Sequence, residues 1–116
     1  MDSISFNKNN FDMESFNTTV EKYCKEQSVS EETALNIRLV TEEFLSNFLF
    51  PNFSGDVNCS IAKDNENLTL SFEYDGANFM NRINTQTILS QKILHNKTKE
   101  IISDESDNHT VVKFVL

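Results

Sequence analysis

The chain has 116 residues, of which 38% are hydrophobic and 24% charged, and its formal net charge is −8. This length suits one domain, residues 1–116, with a core of its own, and the composition is too apolar for a disordered chain. The acidic balance argues against a nucleic-acid-binding protein, which needs a basic face to neutralise phosphates, but it suits encounters with a basic protein partner.

The sequence carries no sign of export or membrane insertion. Its first ten residues, MDSISFNKNN, lack the positive start and the apolar run of a signal peptide, and no stretch of about 20 apolar residues occurs. Cys24 and Cys59 are enough for one disulfide by count. They fall in a predicted helix and a predicted strand, which favours two small apolar side chains instead.

The first half of the chain predicts one strand and two helices. Residues 4–6 alternate as in a short strand, and apolar residues every three or four positions predict a helix over 12–27. A longer helix is predicted over 30–50, with Ser30 as its N-cap and Pro51 as its end. Its inward stripe is predicted to consist of Ile37, Val40, Phe44, Leu45 and Phe48.

Glu43 and Asn47 break the simple pattern of the long helix. They are four residues apart and therefore share a face, which adjoins the apolar stripe. One interpretation is that both side chains lie at the helix boundary and face solvent, as Glu and Asn usually do. The other is a carboxylate and a carboxamide lining a cleft between this helix and the neighbouring sheet.

The second half predicts two hairpins around a third helix. Alternating runs at 57–61 and 68–74 flank a polar turn at 64–67, residues 77–84 are irregular, and a helix follows over 85–97 with Ile88, Leu89 and Ile93 on its inner side. A strand begins at 101, an acidic turn spans 103–108, and a last strand spans 111–116. This order predicts an α+β fold, a two-layer sandwich with three helices on one face of a mostly antiparallel, mixed sheet.

The predicted order is a long helix with Glu-x-x-x-Asn, a hairpin that ends in an Asp/Gly turn followed by Phe, a helix and a closing hairpin. This order resembles the histidine-kinase-like (GHKL) ATPase fold. The chain looks closest to the small anti-sigma-factor serine kinases of that superfamily. The resemblance spans residues 6–116. It implies that Glu43 is the catalytic carboxylate that positions or deprotonates the attacking group, and that Asn47 holds Mg²⁺ against the phosphates of ATP.

The resemblance also implies an adenine-reading aspartate within an Asp-x-Gly turn. Matching Asp75 to that aspartate places Ala77 at the glycine, whereas matching Gly76 and Phe79 places Tyr74 at the aspartate. Asp75–Gly76 also has a simpler interpretation as a strand-ending turn. His95 and His109, far apart in sequence, are expected to be ordinary surface residues.

The sequence departs from the family at the phosphate-binding lid. Residues 81–87 contain no glycine, and Gly55 and Gly76 are the only glycines in the chain, so no glycine-rich cradle for phosphates can form. Two functions therefore stay open. One is an ATP-dependent protein serine kinase, and the other is a nucleotide-free module that keeps the fold and acts through protein contacts.

The resemblance implies a role in bacterial cytoplasmic signalling, with a sigma factor or an anti-sigma antagonist-like protein as the partner. It also allows a homodimer. The acidic charge and the lack of a long apolar stretch predict no nucleic-acid partner and no membrane partner.

Overall fold

The computed structural model describes residues 2–7, 11–64, 67–81 and 84–116. Within them, the order of strand, two helices, hairpin, helix and hairpin is confirmed. The elements are β1 (Asp2–Asn7), α1 (Met13–Glu26), α2 (Glu31–Phe44), a π-helical segment (Leu45–Leu49), β2 (Asp56–Asp64), β3 (Asn67–Asp75), a 3₁₀ turn (Phe79–Asn81), α3 (Thr85–Lys97), β4 (Glu100–Ser106) and β5 (His109–Val115).

The strands of the described residues form one open five-stranded sheet in the order β1-β2-β3-β5-β4. Every pairing among them is antiparallel, so the expectation of a mixed sheet is wrong. Because α3 leads to the outer strand β4, the last strand β5 returns between β4 and β3. The α+β class is confirmed.

Alternation along the strands separates the sheet into two faces. Phe72 of β3 is fully buried and its pairing partners Cys59 and Val112 are buried with it. The intervening residues, such as Ser60, Ser71 and Lys113, lie on the other face, which is polar. We call this polar side the bare face. The helices therefore share one core with a single face of the sheet.

The long helix begins where the sequence predicts. Ser30 is the N-cap, and its hydroxyl accepts a hydrogen bond from the N–H of Thr33 at 3.2 Å. The helix widens after Phe44 into the π-helical segment, in which the N–H of Phe50 donates to the carbonyl of Leu45 at 2.8 Å. All five residues of the predicted stripe are buried.

The third helix has the predicted bounds, but its inner side is only partly the predicted one. Ile88 and Leu89, predicted to face inward, are 48% and 64% exposed, and Ile93 is half-buried. Thr87, Ser90 and Leu94 are buried. The inner side of α3 packs against α2 and the π-helical segment, where the hydroxyl of Ser90 donates a hydrogen bond to a glutamate of α2. Neighbouring side chains therefore set the orientation of this helix against its own apolar pattern.

The final turn is shorter than predicted. Strand β4 continues to Ser106, and the turn consists of Asp107 and Asn108, both with positive φ. Two central residues with positive φ are typical of a tight hairpin turn whose twist matches that of its strands. The prediction of a turn over 103–108 is thus wrong for residues 103–106, which belong to β4. In the described part of the chain, no helix has the length and apolar character needed to cross a membrane.

Candidate functional site

Glu43 and Asn47 lie next to each other at the end of the long helix. The amide nitrogen of Asn47 donates to Oε2 of Glu43 at 3.2 Å, and the hydroxyl of Ser90 on α3 donates to Oε1 of Glu43 at 3.4 Å. Glu43 is half-buried and Asn47 is exposed. The carboxylate is therefore held between two helices, while the amide oxygen of Asn47, the atom that Mg²⁺ would require, is left for other partners.

A small cavity adjoins Asn47. It has a volume of about 260 Å³ and lies between the end of the long helix, the 3₁₀ turn and the start of α3. None of its described lining residues is a lysine or an arginine. These residues are Ser46, Asn47, Phe48, Pro51, Asn52, Phe79, Asn84 and Thr87. The cleft beside Asn47 is thus bounded by helical segments rather than by the open sheet.

The wall of this cavity includes a reciprocal helix cap. The side-chain oxygen of Asn84 accepts a hydrogen bond from the N–H of Thr87 at 3.0 Å, and the Thr87 hydroxyl accepts one from the N–H of Asn84 at 2.8 Å. This exchange satisfies donors at the start of α3, as in a capping box. In the predicted lid region, Arg82 and Ile83 lie outside the described residues.

Asp75 and the Glu43–Asn47 pair lie on different sides of the sheet. Asp75 follows the alternation of β3 onto the bare face, where its Oδ1 is 2.7 Å from Nδ1 of His109. Gly76 is buried, and its carbonyl accepts a hydrogen bond from the Thr110 hydroxyl at 2.7 Å. The structure brings Glu43 and Asn47 together but does not add the Asp75 carboxylate to them.

His109 has more contacts than an ordinary surface histidine. Its Nε2 lies 3.0 Å from Oε2 of Glu73, while its Nδ1 contacts Asp75. The hydrogen bond to Asp75, followed by that to Glu73, raises the pKa of His109 above its ordinary value. The pairing of β3 with β5 forms this cluster, because it places His109 directly opposite Asp75; no local sequence pattern indicates it.

Tyr74, the other residue matched to the adenine-reading aspartate, is buried on the core side of β3. Its ring is nearly parallel to that of Phe79 at a centroid distance of 6.0 Å, and it lies 5.1 Å from that of Phe53. Its hydroxyl donates to the carbonyl of Ala77 at 2.8 Å. Burial, the largest cause, raises the pKa of this phenol. Tyr74 is therefore a neutral, packed aromatic residue.

Gly76 fits closely into the same aromatic packing. A Cβ atom added at Gly76 would lie 3.2 Å from ring atoms of both Phe53 and Tyr74. The backbone of Gly76 does not have a positive φ, so packing rather than turn geometry explains a glycine here. The turn after β3 is thus a tightly packed structural feature.

The two cysteines lie within the core. Both thiols are free and buried. Burial raises the pKa of Cys59 to about 12 and raises that of Cys24 in the same direction. The interpretation as small apolar side chains is confirmed.

The described lining of the cavity beside Asn47 does not fit the phosphates of Mg·ATP. The cavity has a volume of about 260 Å³, near the lower end of about 300–1,000 Å³ for pockets of drug-sized ligands, and its described lining contains no lysine or arginine to bind phosphates.

The sequence matches no protein-family model, and no curated protein matches it.

Proposed function

We propose that this protein is a cytoplasmic regulatory protein of bacterial signalling with GHKL ATPase ancestry. In this proposal it acts like an anti-sigma factor, by binding a partner protein such as a sigma factor or its antagonist, and nucleotide binding has become weak or absent. The resemblance in element order and the α+β architecture support the ancestry. The arrangement of side chains where the resemblance places the nucleotide supports its loss.

The environment of Tyr74 carries the proposal. When Gly76 and Phe79 are aligned with the family pattern, Tyr74 takes the position of the carboxylate that accepts a hydrogen bond from adenine. Its ring is packed between Phe53 and Phe79, and its hydroxyl is used by the Ala77 carbonyl. A phenol in this position is larger than a carboxylate and has no charge, so it occupies space that a base would need.

The other alignment also removes a nucleotide contact. If Asp75 is the matching residue, its carboxylate lies on the bare face beside His109, on the opposite side of the sheet from the core that the helices share. It is then separated from Asn47 by the sheet itself. Under either alignment, the described residues do not assemble an adenine contact and a metal ligand in one cavity.

A thermal-shift titration with Mg·ATP and Mg·ADP tests the proposal. Ligand that binds only the folded state stabilises it by about 2.7 kcal/mol at 100 times Kd, which corresponds to several degrees in the Tm of a domain of this size. We expect no change in Tm at millimolar nucleotide. A saturable increase in Tm that Asn47→Ala abolishes would contradict the loss of nucleotide binding.

A second measurement tests the partner-binding part of the proposal. Glu43→Ala and Asn47→Ala should bind the same partner proteins as the wild type when the three are used side by side as bait in cells of the source organism. This is expected because partner contacts do not depend on a nucleotide site. Loss of a partner with either variant, without loss of folding, would contradict it.

The contact between Glu43 and Asn47 favours a second candidate, the serine kinase. These two residues keep the spacing and the proximity that the resemblance implies for a base and a magnesium ligand. The same titration separates the two functions, because a kinase requires Mg·ATP to stabilise the wild type. Transfer of labelled phosphate to a partner serine, absent in Glu43→Ala, would then identify the kinase.

A further inference from the structure

The outermost strand on one side of the sheet, β4, has an open edge. Among the described strands it pairs with β5 alone, and none of the backbone hydrogen bonds between the elements of the described residues involves it. Its seven residues, Glu100–Ser106, include no proline and no lysine, which are two residues that commonly protect such edges from pairing. The edge therefore offers a row of N–H and C=O groups to another extended segment.

The hydrogen bonds of the last strand show which groups of β4 face this edge. Leu116 exchanges two backbone hydrogen bonds with Leu68 of β3, at 2.8 and 3.4 Å. Because backbone groups alternate in direction along a strand, Lys113 directs its own groups away from β3 and toward its partner on β4, Ile102. The residues of β4 that alternate with Ile102 direct theirs to the open edge. These residues are Ile101, Ser103 and Glu105.

Both faces of β4 are accessible. Ile102, on the bare face, is 43% exposed. Ser103 and Glu105 point to the side of the sheet that the helices occupy, yet both are exposed. On that side Nδ2 of Asn78 donates to the Ser103 hydroxyl at 2.9 Å, and the N–H of Asn78 donates to Oε1 of Glu105 at 2.6 Å. A loop residue rather than a helix lies beside this part of the strand, so a further strand can approach without displacing a helix.

The charge of β4 selects the kind of segment that can pair with it. Residues 100–107, EIISDESD, contain four acidic and no basic side chains. Glu100 and Asp104 flank Ile102 on the bare face, and Lys113 on β5 takes part in none of the ion pairs of the described residues. Antiparallel pairing of two copies centred on Ile102 would place carboxylates opposite carboxylates, which is destabilising. The same carboxylates favour a basic segment.

We propose that β4 binds an extended, basic segment of a partner protein, which adds a sixth strand to the sheet. The outward-facing residues of β4 would exchange backbone hydrogen bonds with this segment. Glu100, Ile102 and Asp104 would then stand in the closer, non-hydrogen-bonded pairs. Basic residues opposite the two carboxylates and a β-branched residue opposite Ile102 suit these pairs. The segment therefore has the pattern basic-x-apolar-x-basic.

This inference rests on the proposed function, because it names the chemistry of the partner. A titration of the full chain with the capped peptide Thr-Lys-Thr-Val-Thr-Lys-Thr, followed in amide NMR spectra, tests it. The peptide has the same pattern in both directions and so suits parallel or antiparallel addition. We expect saturable shifts centred on the amides of Ile101, Ser103 and Glu105, with slower hydrogen exchange at these three. The same peptide with glutamate in place of lysine should not bind.

A pair of charge variants tests the recognition of basic residues. Asp104→Lys should raise the Kd for the lysine peptide by at least ~3-fold, because an attractive cross-strand pair becomes a repulsive one. Asp56→Lys makes the same change in net charge and is the matched control. Asp56 is exposed on β2, with β3 and β5 between it and β4. Three strand spacings are about 14 Å, which exceeds the Debye length of about 8 Å at physiological salt, so its Kd should stay near that of the wild type.

A second pair of variants tests the backbone contact. Ser103→Pro removes an outward N–H at a position where an edge strand tolerates proline, so it should abolish peptide binding. Ser103→Ala removes the same hydroxyl but keeps the N–H, and it should bind as the wild type does. The amide spectrum of each variant shows whether it is folded. If Ser103→Pro does not fold, the Asp104→Lys and Asp56→Lys pair still decides the proposal.

Several results would overturn the proposal. They are the absence of saturable shifts at millimolar lysine peptide, equal binding of the glutamate peptide, shifts centred away from β4, or equal effects of the two lysine variants. Thermal shift with nucleotide reports on the cavity beside Asn47, whereas the peptide titration reports on β4. Failure of the proposed function and failure of this inference are therefore distinguishable.

Discussion

The long helix and α3 lie against each other, yet only the long helix buries its whole apolar stripe. In α2 and its π-helical continuation the stripe faces the core, and residues such as Phe44 are fully buried. In α3, Leu94 is buried together with the polar Ser90, whereas Ile88 and Leu89 are 48% and 64% exposed. Amphipathic spacing therefore indicates that a helix forms, but the chemistry of the neighbouring helix decides which side faces inward.

The contact between Ser90 and Glu43 gives a physical reason for this difference. Glu43 is a half-buried carboxylate on the helix that α3 packs against. A carboxylate at a helix interface needs a hydrogen-bond donor, and Ser90 supplies one. Turning α3 to bury Ile88 and Leu89 would move Ser90 away and remove the donor to Oε1 of Glu43.

The largest expected loss of stability comes from a substitution in the long helix. Phe44→Ala should lower the free energy of unfolding by about 3–5 kcal/mol, because it removes a fully buried ring and leaves a cavity. That ring lies 4.9 Å from the ring of Phe72 and 5.5 Å from that of Phe114. Urea denaturation measures the change. A value under about 1 kcal/mol would show that the long helix does not anchor the core.

A matched pair in α3 sharpens the comparison. Leu94 is fully buried and Leu89 is 64% exposed, so Leu94→Ala should destabilise by about 2–5 kcal/mol and Leu89→Ala by no more than about 0.5 kcal/mol. Both changes remove the same atoms from the same helix. Denaturation at low protein concentration compares them. Equal losses, or a larger loss at Leu89, would show that α3 is oriented as the sequence pattern predicts.

The next effect is on the start of the long helix. Ser30→Ala should lower the free energy of unfolding by about 1 kcal/mol, because the Thr33 N–H loses its side-chain acceptor. Ser30→Asp is the control, since aspartate also accepts this hydrogen bond and suits the helix dipole. Equal stability of the alanine variant and the wild type in thermal denaturation would contradict the assigned N-cap.

The smallest expected effect on stability is that of His109 on the bare face, away from α2 and α3. The pKa of His109 is raised in the folded protein, so its stabilising contribution is fully present below the unfolded value of 6.5 and is lost as pH rises through the higher folded value. The Tm of the wild type should exceed that of His109→Gln at acidic pH and match it at high pH. The exposure of His109 makes this difference small and sensitive to salt.

His95→Gln is the matched control for this measurement. His95 is exposed on α3 and takes part in none of the ion pairs of the described residues. Its replacement removes an exposed histidine without removing a contact between histidine and carboxylate among the described residues, and so controls for the substitution itself. A pH-independent difference between His109→Gln and the wild type would show that the contacts to Glu73 and Asp75 carry no proton linkage.

Local signals predicted most of the fold. Ser30 before a periodic apolar run located the start of the long helix, and alternation at 57–61 and 68–74 located the central hairpin. These predictions succeeded because capping and strand alternation are properties of neighbouring residues. The all-antiparallel strand order was not accessible in this way, because it depends on which side of β3 the last hairpin approaches.

The candidate site was predictable only in part. The spacing of Glu43 and Asn47 predicted their shared face, and the structure places them in contact. The role of Ser90 and the cluster around His109 depend on contacts between residues more than 30 positions apart, which no local pattern encodes. The wider turn at Leu45–Leu49 was also missed, because no glycine or proline marks it within the helix.

The burial of both thiols makes the chain a chemical reporter of its own motions. A thiol reagent requires an accessible thiolate, so Cys59, on the core face of β2, should react only when the helices and the sheet separate. Cys24 lines a surface groove between α1 and α2, and separation of these two helices alone would expose it. Unequal labelling rates at the two cysteines would thus compare how often α1 and α2 separate with how often the helical layer leaves the sheet, with no residue of the protein changed.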